Sequence, residues 1–102
     1  MVCEGIIYEP IYDYKKTQMG WAAKVRVFNL KNVFIPEHLD NMPVLEIGPY
    51  LFANDDVEFV SMPSSILTIG FGAFKDCKHL QKIKIYPSEK GDKSDVLKLY
   101  GN

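Results

Sequence analysis

The chain has 102 residues, of which 47% are hydrophobic and 25% charged, and its formal net charge is -1. This balance is typical of one soluble domain with a small core, and it excludes a disordered tail and a disulfide-rich miniprotein. The near-neutral charge gives no general case for nucleic acid or an acidic membrane as partner, although basic residues outnumber acidic ones after residue 60.

Residues 1–29 do not share the pattern of the rest of the chain. "EGIIYEPIYDY" and "GWAAKVRVFN" are rich in β-branched and aromatic residues and are joined by the polar stretch "KKTQMG". This arrangement predicts a β-hairpin. We expect it to cap the N-terminal end of the following structure, with Trp21 and the tyrosines covering the first coil and their polar tips at the rim.

Residues 30–86 contain an internal repeat. The template L-x-x-L-x-L begins at Leu30, Val57 and Leu80, and prolines follow the first two copies. Proline cannot donate to a sheet ladder, so each copy predicts a short strand that ends there. The three strands are expected to lie side by side in register.

A second motif alternates with the first. "VLEIGPYLFAND" and "ILTIGFGAFKDC" superpose at an offset of 22 residues, with Ile47 on Ile69 and Phe52 on Phe74. Each repeat thus predicts a strand, a turn, an isoleucine entering the core, and a short helical or irregular return carrying the phenylalanine. Such coils bury their apolar sides only by stacking, which predicts a solenoid.

The segment "MPSSILTIGFGAFKDCKHLQKIKI" resembles the BspA-type leucine-rich repeats, and "IPEHLDNMPVLEIGPYLF" is similar to the longer first repeat of that family. The resemblance covers residues 30–86 and implies an α/β repeat solenoid, a right-handed coil with a parallel sheet. The first repeat departs from the pattern with Asp55 in place of the second repeat's Cys77 and with Leu51 in place of alanine. With about two complete repeats, the chain is expected to be a short member of the family or a fragment.

Residues 87–102 begin with the polar, turn-forming stretch "PSEKGDKSD" and continue with "VLKLY". The latter is either a C-terminal cap or a weak fourth rung. We expect residues 1–102 to form one domain, in which an uncovered end would pair with another copy.

The predicted functional surface is the side of the parallel strands that faces away from the core. Period-2 alternation sends one set of side chains outward. These candidates for partner binding are Asn32, Phe59 and Lys82 in one row, Phe34, Ser61 and Lys84 in the next, and Tyr86 beyond them. Aromatic residues beside lysines favour protein recognition; the alternative is that the hairpin or a partner coil covers Phe34 and Phe59. Contacts are too few for nucleic acid.

Catalytic and metal sites are not expected. Cys77 and His79 could form a dyad, but a small apolar thiol three residues before Leu80 is more simply core filling. His38 lies near two carboxylates, which is typical of a solvated loop rather than a metal site. The glycines lack the lysine and Ser/Thr of a phosphate loop, so no cofactor is expected.

These observations support a non-enzymatic protein-protein interaction module. The resemblance implies adhesion or surface recognition, a cell-surface or secreted location and no catalytic residues. The alternative is a structural capping or self-assembly unit that pairs through its exposed solenoid edge, and a third hypothesis is a cysteine-dependent enzyme. The chain shows neither a signal peptide nor an apolar run of roughly 20 residues, so membrane insertion is not expected and a cytoplasmic location stays open.

Overall fold

The computed structural model describes residues 1–27 and 30–86, which form strands and turns. The strands are β1 (Val2–Cys3), β2 (Ile6–Tyr12), β3 (Gln18–Arg26), β4 (Asn32–Phe34), β5 (His38–Leu39), β6 (Met42–Ile47), β7 (Phe59–Pro63), β8 (Thr68–Ile69) and β9 (Lys82–Tyr86). The predicted linker and the segment "VLKLY" lie outside the described residues. The division of the chain into residues 1–29, 30–86 and 87–102 stays a prediction.

The return segments are turns, and no helix occurs within the two described ranges. The backbone explains why: Tyr50 and Asn54 in the first return and Gly72 and Asp76 in the second all have positive φ, between 56° and 65°. A right-handed helix cannot continue through such residues. The irregular form of the return is therefore the one adopted, and the helical part of the predicted α/β class is not found here.

The N-terminal residues form the predicted hairpin, because β2 and β3 pair antiparallel from Ile6 opposite Arg26 to Tyr12 opposite Gln18. β1 adds a further strand to this sheet by pairing antiparallel with β2. The hairpin is also part of the repeat ladder, since β3 pairs parallel with β6 and β6 pairs parallel with β8. The short β5 pairs antiparallel with β6. The capping role of the hairpin stays a prediction, as does the right-handed sense of the coil.

The aromatic residues of the hairpin differ in their surroundings. Tyr8 is buried, whereas Tyr12 and Tyr14 are exposed, so the expectation that the tyrosines cover the first coil is wrong for these two. Trp21 is half-buried and its indole N–H donates to the carbonyl oxygen of Leu39 at 2.8 Å. The indole therefore fastens the hairpin to the segment that precedes β6.

The second sheet consists of β4, β7 and β9, which are parallel neighbours in that order. Val33 lies opposite Val60, and Val60 lies opposite Ile83. All three are buried. The predicted register of the three repeat templates is therefore confirmed. The chain passes alternately between the two sheets, so each coil places one strand in each.

The core is formed by side chains from both sheets and from the returns. Its largest fully buried members are Tyr8, Phe52, Phe74, Ile6, Ile35, Ile47, Met62, Ile83, Val44, Val57, Val60 and Pro63. The rings of Phe52 and Phe74 stack at a centroid distance of 5.2 Å. Repeat-equivalent side chains thus pack on each other from coil to coil, as the offset of 22 residues predicts.

The two return segments are also joined by their backbones. The N–H groups of Tyr50, Phe52 and Asn54 donate to the carbonyl oxygens of Phe71, Ala73 and Lys75 at 2.8–3.0 Å. The approach is close enough that a Cβ atom on Gly70 would lie 2.3 Å from the backbone nitrogen of Pro49. Only glycine fits this position.

Nowhere in the described ranges is there a helix that could serve as a bilayer-spanning segment.

Candidate functional site

The seven predicted binding residues lie on one side of the second sheet. Asn32 pairs with Phe59 and Phe59 with Lys82, while Phe34 pairs with Ser61 and Ser61 with Lys84. Five of the seven are exposed, and Ser61 and Tyr86 are half-buried. We call this surface the outer face; it comprises Asn32, Phe34, Phe59, Ser61, Lys82, Lys84 and Tyr86. The structure brings all seven together, and their role in binding stays a prediction.

An open cavity of about 400 Å³ lies on the β4 side of the outer face. Its lining consists of Glu4, Asn32, Val33, Phe34, Phe59 and Ser61. Phe34 is 48% and Phe59 39% exposed. The sequence raised cover by the hairpin as an alternative to binding; among described residues 1–27, only Glu4 lines the cavity, from the turn between β1 and β2. The cavity offers two aromatic surfaces with amide and hydroxyl groups beside them.

Phe34 is held in place by Tyr86. Their rings stack at a centroid distance of 5.1 Å and an interplanar angle of 9°. The hydroxyl group of Tyr86 donates to the carbonyl oxygen of Ile35, so this side chain reaches across β7 from β9 to β4. Burial, and secondly the charge of Glu37, raises the pKa of Tyr86 to about 12. The hydroxyl group therefore keeps its proton, and its hydrogen bond, at neutral pH.

Charge is unevenly distributed across the outer face. Lys82 and Lys84 are exposed on β9, and within residues 1–27 and 30–86 neither forms an ion pair. On the opposite side, Glu4 is exposed beside the cavity. The face thus runs from a carboxylate at its β4 side to two ammonium groups at its β9 side.

The cysteine-histidine pair lies away from this face. Cys77 is half-buried against the core, and its thiol contacts the carbonyl oxygen of Phe52. Burial raises the pKa of Cys77 to about 11, and the nearby charges of Asp55 and Asp76 act in the same direction. A nucleophilic cysteine needs a lowered pKa, so the environment disfavours a reactive thiolate.

His79 is exposed and borders a shallow cavity of about 170 Å³. The other residues that line it are Asn54, Asp55, Asp56, Asp76 and Lys78. Cys77 is not among them, so the histidine and the thiol have different surroundings.

The other histidine is also exposed. The Nδ1 atom of His38 lies 3.4 Å from Oε1 of the neighbouring Glu37, and both side chains are at least half exposed. The part of the chain that the structure describes contains no group of three or more side chains that could hold a metal ion. His38 thus has the surroundings of a solvated loop residue.

Sequence reasoning missed a buried ion pair between the hairpin and the first return. The side chains of Arg26 and Asp55 are only 7% and 5% exposed, and Nε of Arg26 donates to Oδ2 of Asp55 at 2.7 Å. A second bond joins Nη2 to Oδ1 at 3.1 Å, and Nη2 also donates to the carbonyl oxygen of Leu30 at 3.0 Å. The guanidinium carbon lies 5.3 Å from the ring centre of Phe52.

This pair explains why the first repeat departs from the second. Asp55 stands where the next repeat has Cys77. Its carboxylate pairs with the guanidinium group of Arg26, which lies over the ring of Phe52 at the end of the Phe52–Phe74 stack. The available sequence signal was an acidic residue at a position that is otherwise apolar, which implies a cationic partner elsewhere. No comparable sequence signal indicated that Glu4 borders the cavity.

Comparison with known proteins agrees with this architecture. Residues 45–94 match the family described as BspA type leucine rich repeat region (6 copies). No curated protein is significantly similar in sequence to the chain.

Three solved structures share the fold. A leucine rich cell surface protein from Faecalibacterium prausnitzii has a TM-score of 0.69 at 21% identity over 87% of this chain and 24% of its own. A T. pallidum leucine rich repeat protein has a TM-score of 0.69 at 25% identity, over 82% of this chain and 38% of its own length. A leucine-rich repeat protein from Bacteroides capillosus has a TM-score of 0.61 at 21% identity, over 80% of this chain and 66% of its own length.

The chain thus spans about a quarter and two fifths of the first two proteins' lengths. Stacked coils with a 22-residue offset, the matching repeat family and the shared fold all lead to the same assignment. Residues 45–94 of the chain are thus similar to the BspA-type leucine-rich repeats, as the sequence motifs predict.

Proposed function

We propose that the chain is a non-enzymatic protein-interaction module that binds its partner on the outer face. The supporting observation is the cavity lined by two exposed aromatic side chains, Phe34 and Phe59, on a parallel sheet. Exposed aromatic residues are a frequent source of binding energy at protein interfaces. Leucine-rich repeat proteins typically act as interaction modules rather than enzymes.

The mechanism is rigid display. Behind the outer face, Val33, Val60 and Ile83 are buried and their strands are paired in register. The stacked ring and the hydrogen bond of Tyr86 restrict Phe34 in the same way. Because these groups are ordered before binding, association costs less conformational entropy than it would on a mobile loop.

The proposal extends to location. The similar F. prausnitzii protein is named a leucine rich cell surface protein, and we extend that location to this chain, with a role in adhesion or surface recognition. The outer face would then contact a protein of another cell or of the surroundings.

The test is selection of peptides from a random display library on the immobilised protein. We expect enriched peptides to lose binding to a Phe59→Ser variant and to keep it to a Leu67→Ser variant. Leu67 is 77% exposed and lies outside the outer face, so it is a matched control for loss of an exposed apolar side chain. Enriched peptides that depend on Leu67 and not on Phe59 would contradict the proposal.

A second candidate function is self-assembly at the end of the stack. Among the described residues β8 pairs only with β6, and Tyr50, Leu67 and Phe71 near it are 50%, 77% and 73% exposed. Exposed edges and apolar patches favour association of copies. Sedimentation velocity over a hundredfold concentration range distinguishes this function, because self-assembly raises the mass with concentration and the interaction module stays monomeric.

A further inference from the structure

We propose that the outer face selects one chemical class of partner: an extended acidic polypeptide segment with an apolar anchor residue. This inference rests on the proposed function and names the partner class for the same face. It depends on three features of the structure, which are the aromatic cavity, the position of the lysines relative to it, and the carboxylate at its far side.

The cavity fixes where the anchor binds. Phe34 and Phe59 are partly exposed there, while Asn32 and Ser61 supply an amide and a hydroxyl group beside them. An apolar side chain placed between the two rings removes aromatic surface from water. The polar groups can bond the backbone of an extended segment, whose own N–H and C=O groups need partners.

The lysines fix the charge of the partner residues next to the anchor. Lys82 lies in the row of Phe59 and Lys84 in the row of Ser61, and the described residues offer neither of them an ion pair. A carboxylate at this place meets two ammonium groups, whereas a cation would be repelled by both. On the other side Glu4 borders the cavity, so carboxylates are disfavoured there. The charge pattern therefore orients the segment as well as selecting it.

The sheet geometry fixes the spacing. Neighbouring strands lie about 4.8 Å apart, so β9 is roughly 10 Å from β4 and about 7 Å from the middle of the cavity between β4 and β7. An extended chain advances about 3.3 Å per residue. The acidic residues are therefore expected about two or three positions from the anchor, on the side directed to β9.

The test uses two synthetic peptides in place of the unidentified partner. Each has one phenylalanine in a glycine-serine background, and two residues later carries a pair of glutamates in the first peptide and a pair of lysines in the second. Fluorescence anisotropy measures their affinity. We expect the acidic peptide to bind at least about tenfold more tightly, and a Lys82→Glu/Lys84→Glu variant to reverse the preference.

The control is a Lys15→Glu/Lys16→Glu variant, which makes the same change in net charge at exposed residues of the β2–β3 turn. It should leave the preference unchanged, because charges beyond about 10 Å are screened at ordinary salt. If both double variants change the preference for the acidic peptide equally, that preference depends only on the net charge of the protein, and the inference is overturned.

The two proposals fail in distinguishable ways. If library peptides that depend on Phe59 prove neutral or basic, the acidic class is wrong and the binding face stands. If no selected peptide depends on Phe59, both proposals are refuted. Enrichment of acidic peptides that bind equally well to the Lys82→Glu/Lys84→Glu variant also refutes the inference, since the lysines would then have no part in selection.

Discussion

The buried pair of Arg26 and Asp55 provides the sharpest test of how the hairpin is fastened to the repeats. The substitution is Asp55→Asn, which removes the charge but keeps an oxygen that can accept the N–H of Val57, now bonded to Oδ1 at 3.0 Å. The change therefore isolates the ionic contact from the adjoining turn.

The magnitude is set by burial. Both side chains are less than a tenth exposed, and removal of one partner of a buried pair leaves an uncompensated charge that costs about 3–5 kcal/mol. A domain of this size is stable by roughly 5–15 kcal/mol. We therefore expect Asp55→Asn to remove about 3 kcal/mol of the free energy of unfolding, because the bond from Nε is lost while the amide oxygen can still accept from Nη2 of Arg26.

The partner substitution tests the coupling. Nη1 of Arg26 is buried and has no hydrogen-bond partner among residues 1–27 and 30–86, so the pair is imperfect there and an apolar replacement should be tolerated once both charges are gone. The double variant Arg26→Met/Asp55→Asn should be more stable than the sum of its single variants by at least about 1.5 kcal/mol.

Urea unfolding measures these free energies, with an unchanged m value as the sign that unfolding stays two-state. Glu58→Gln is the matched control, because its pair with Lys31 has an N–O distance of 3.4 Å and a lysine that is 69% exposed; such a pair contributes at most about 1 kcal/mol. If Asp55→Asn is no more destabilising than Glu58→Gln, or if the double variant is additive, the pair does not fasten the hairpin.

Three further predictions concern single residues. Because burial raises the pKa of Cys77 from 9.0 to about 11, its thiolate fraction at pH 8 is expected to be about 100-fold below that of the unfolded chain. In a Cys3→Ser variant, alkylation of the folded protein should therefore be slower than that of the unfolded chain by at least this factor and should accelerate towards pH 11. Fast reaction of the folded protein at pH 8 would instead support the catalytic hypothesis. Gly70→Ala should destabilise the fold by about 1–3 kcal/mol, because its Cβ would lie 2.3 Å from a backbone atom; a neutral effect in thermal unfolding would mean that the returns are less closely packed. Tyr86→Phe should cost about 0.5–1.5 kcal/mol through loss of the hydrogen bond to Ile35 but preserve the ring stack, so peptide binding should persist.

The outward rows of the second sheet could be predicted because a strand offers only two faces. Once Val33, Val60 and Ile83 are assigned to the core, Phe34 and Phe59 must point outward. The repeated spacing also fixes which residues lie opposite each other, and the structure has the same pairs. Local pattern and repeat period therefore determine the positions of the candidate site residues.

The features that the sequence did not reveal depend on contacts between distant segments. Nothing in "EGIIYEP" indicates that Glu4 borders the cavity, and the span of Tyr86 across β7 depends on a side-chain rotation. β3 went unrecognised as a rung of the ladder because Ala22 and Ala23 replace the large apolar residues of the repeat. The returns were predicted as helical or irregular because positive φ at Tyr50 or Asn54 has no unambiguous sequence signal.

The central claim is that the outer face is the surface on which a partner binds. Chemical-shift mapping of the ¹⁵N-labelled protein with the tightest selected peptide tests it most directly. We expect the largest changes to fall on the amides of the outer face, from Asn32 and Phe59 to Lys84. Changes confined to Tyr50, Leu67 and Phe71, with none on β4, β7 and β9, would contradict the claim and place binding at the end of the stack.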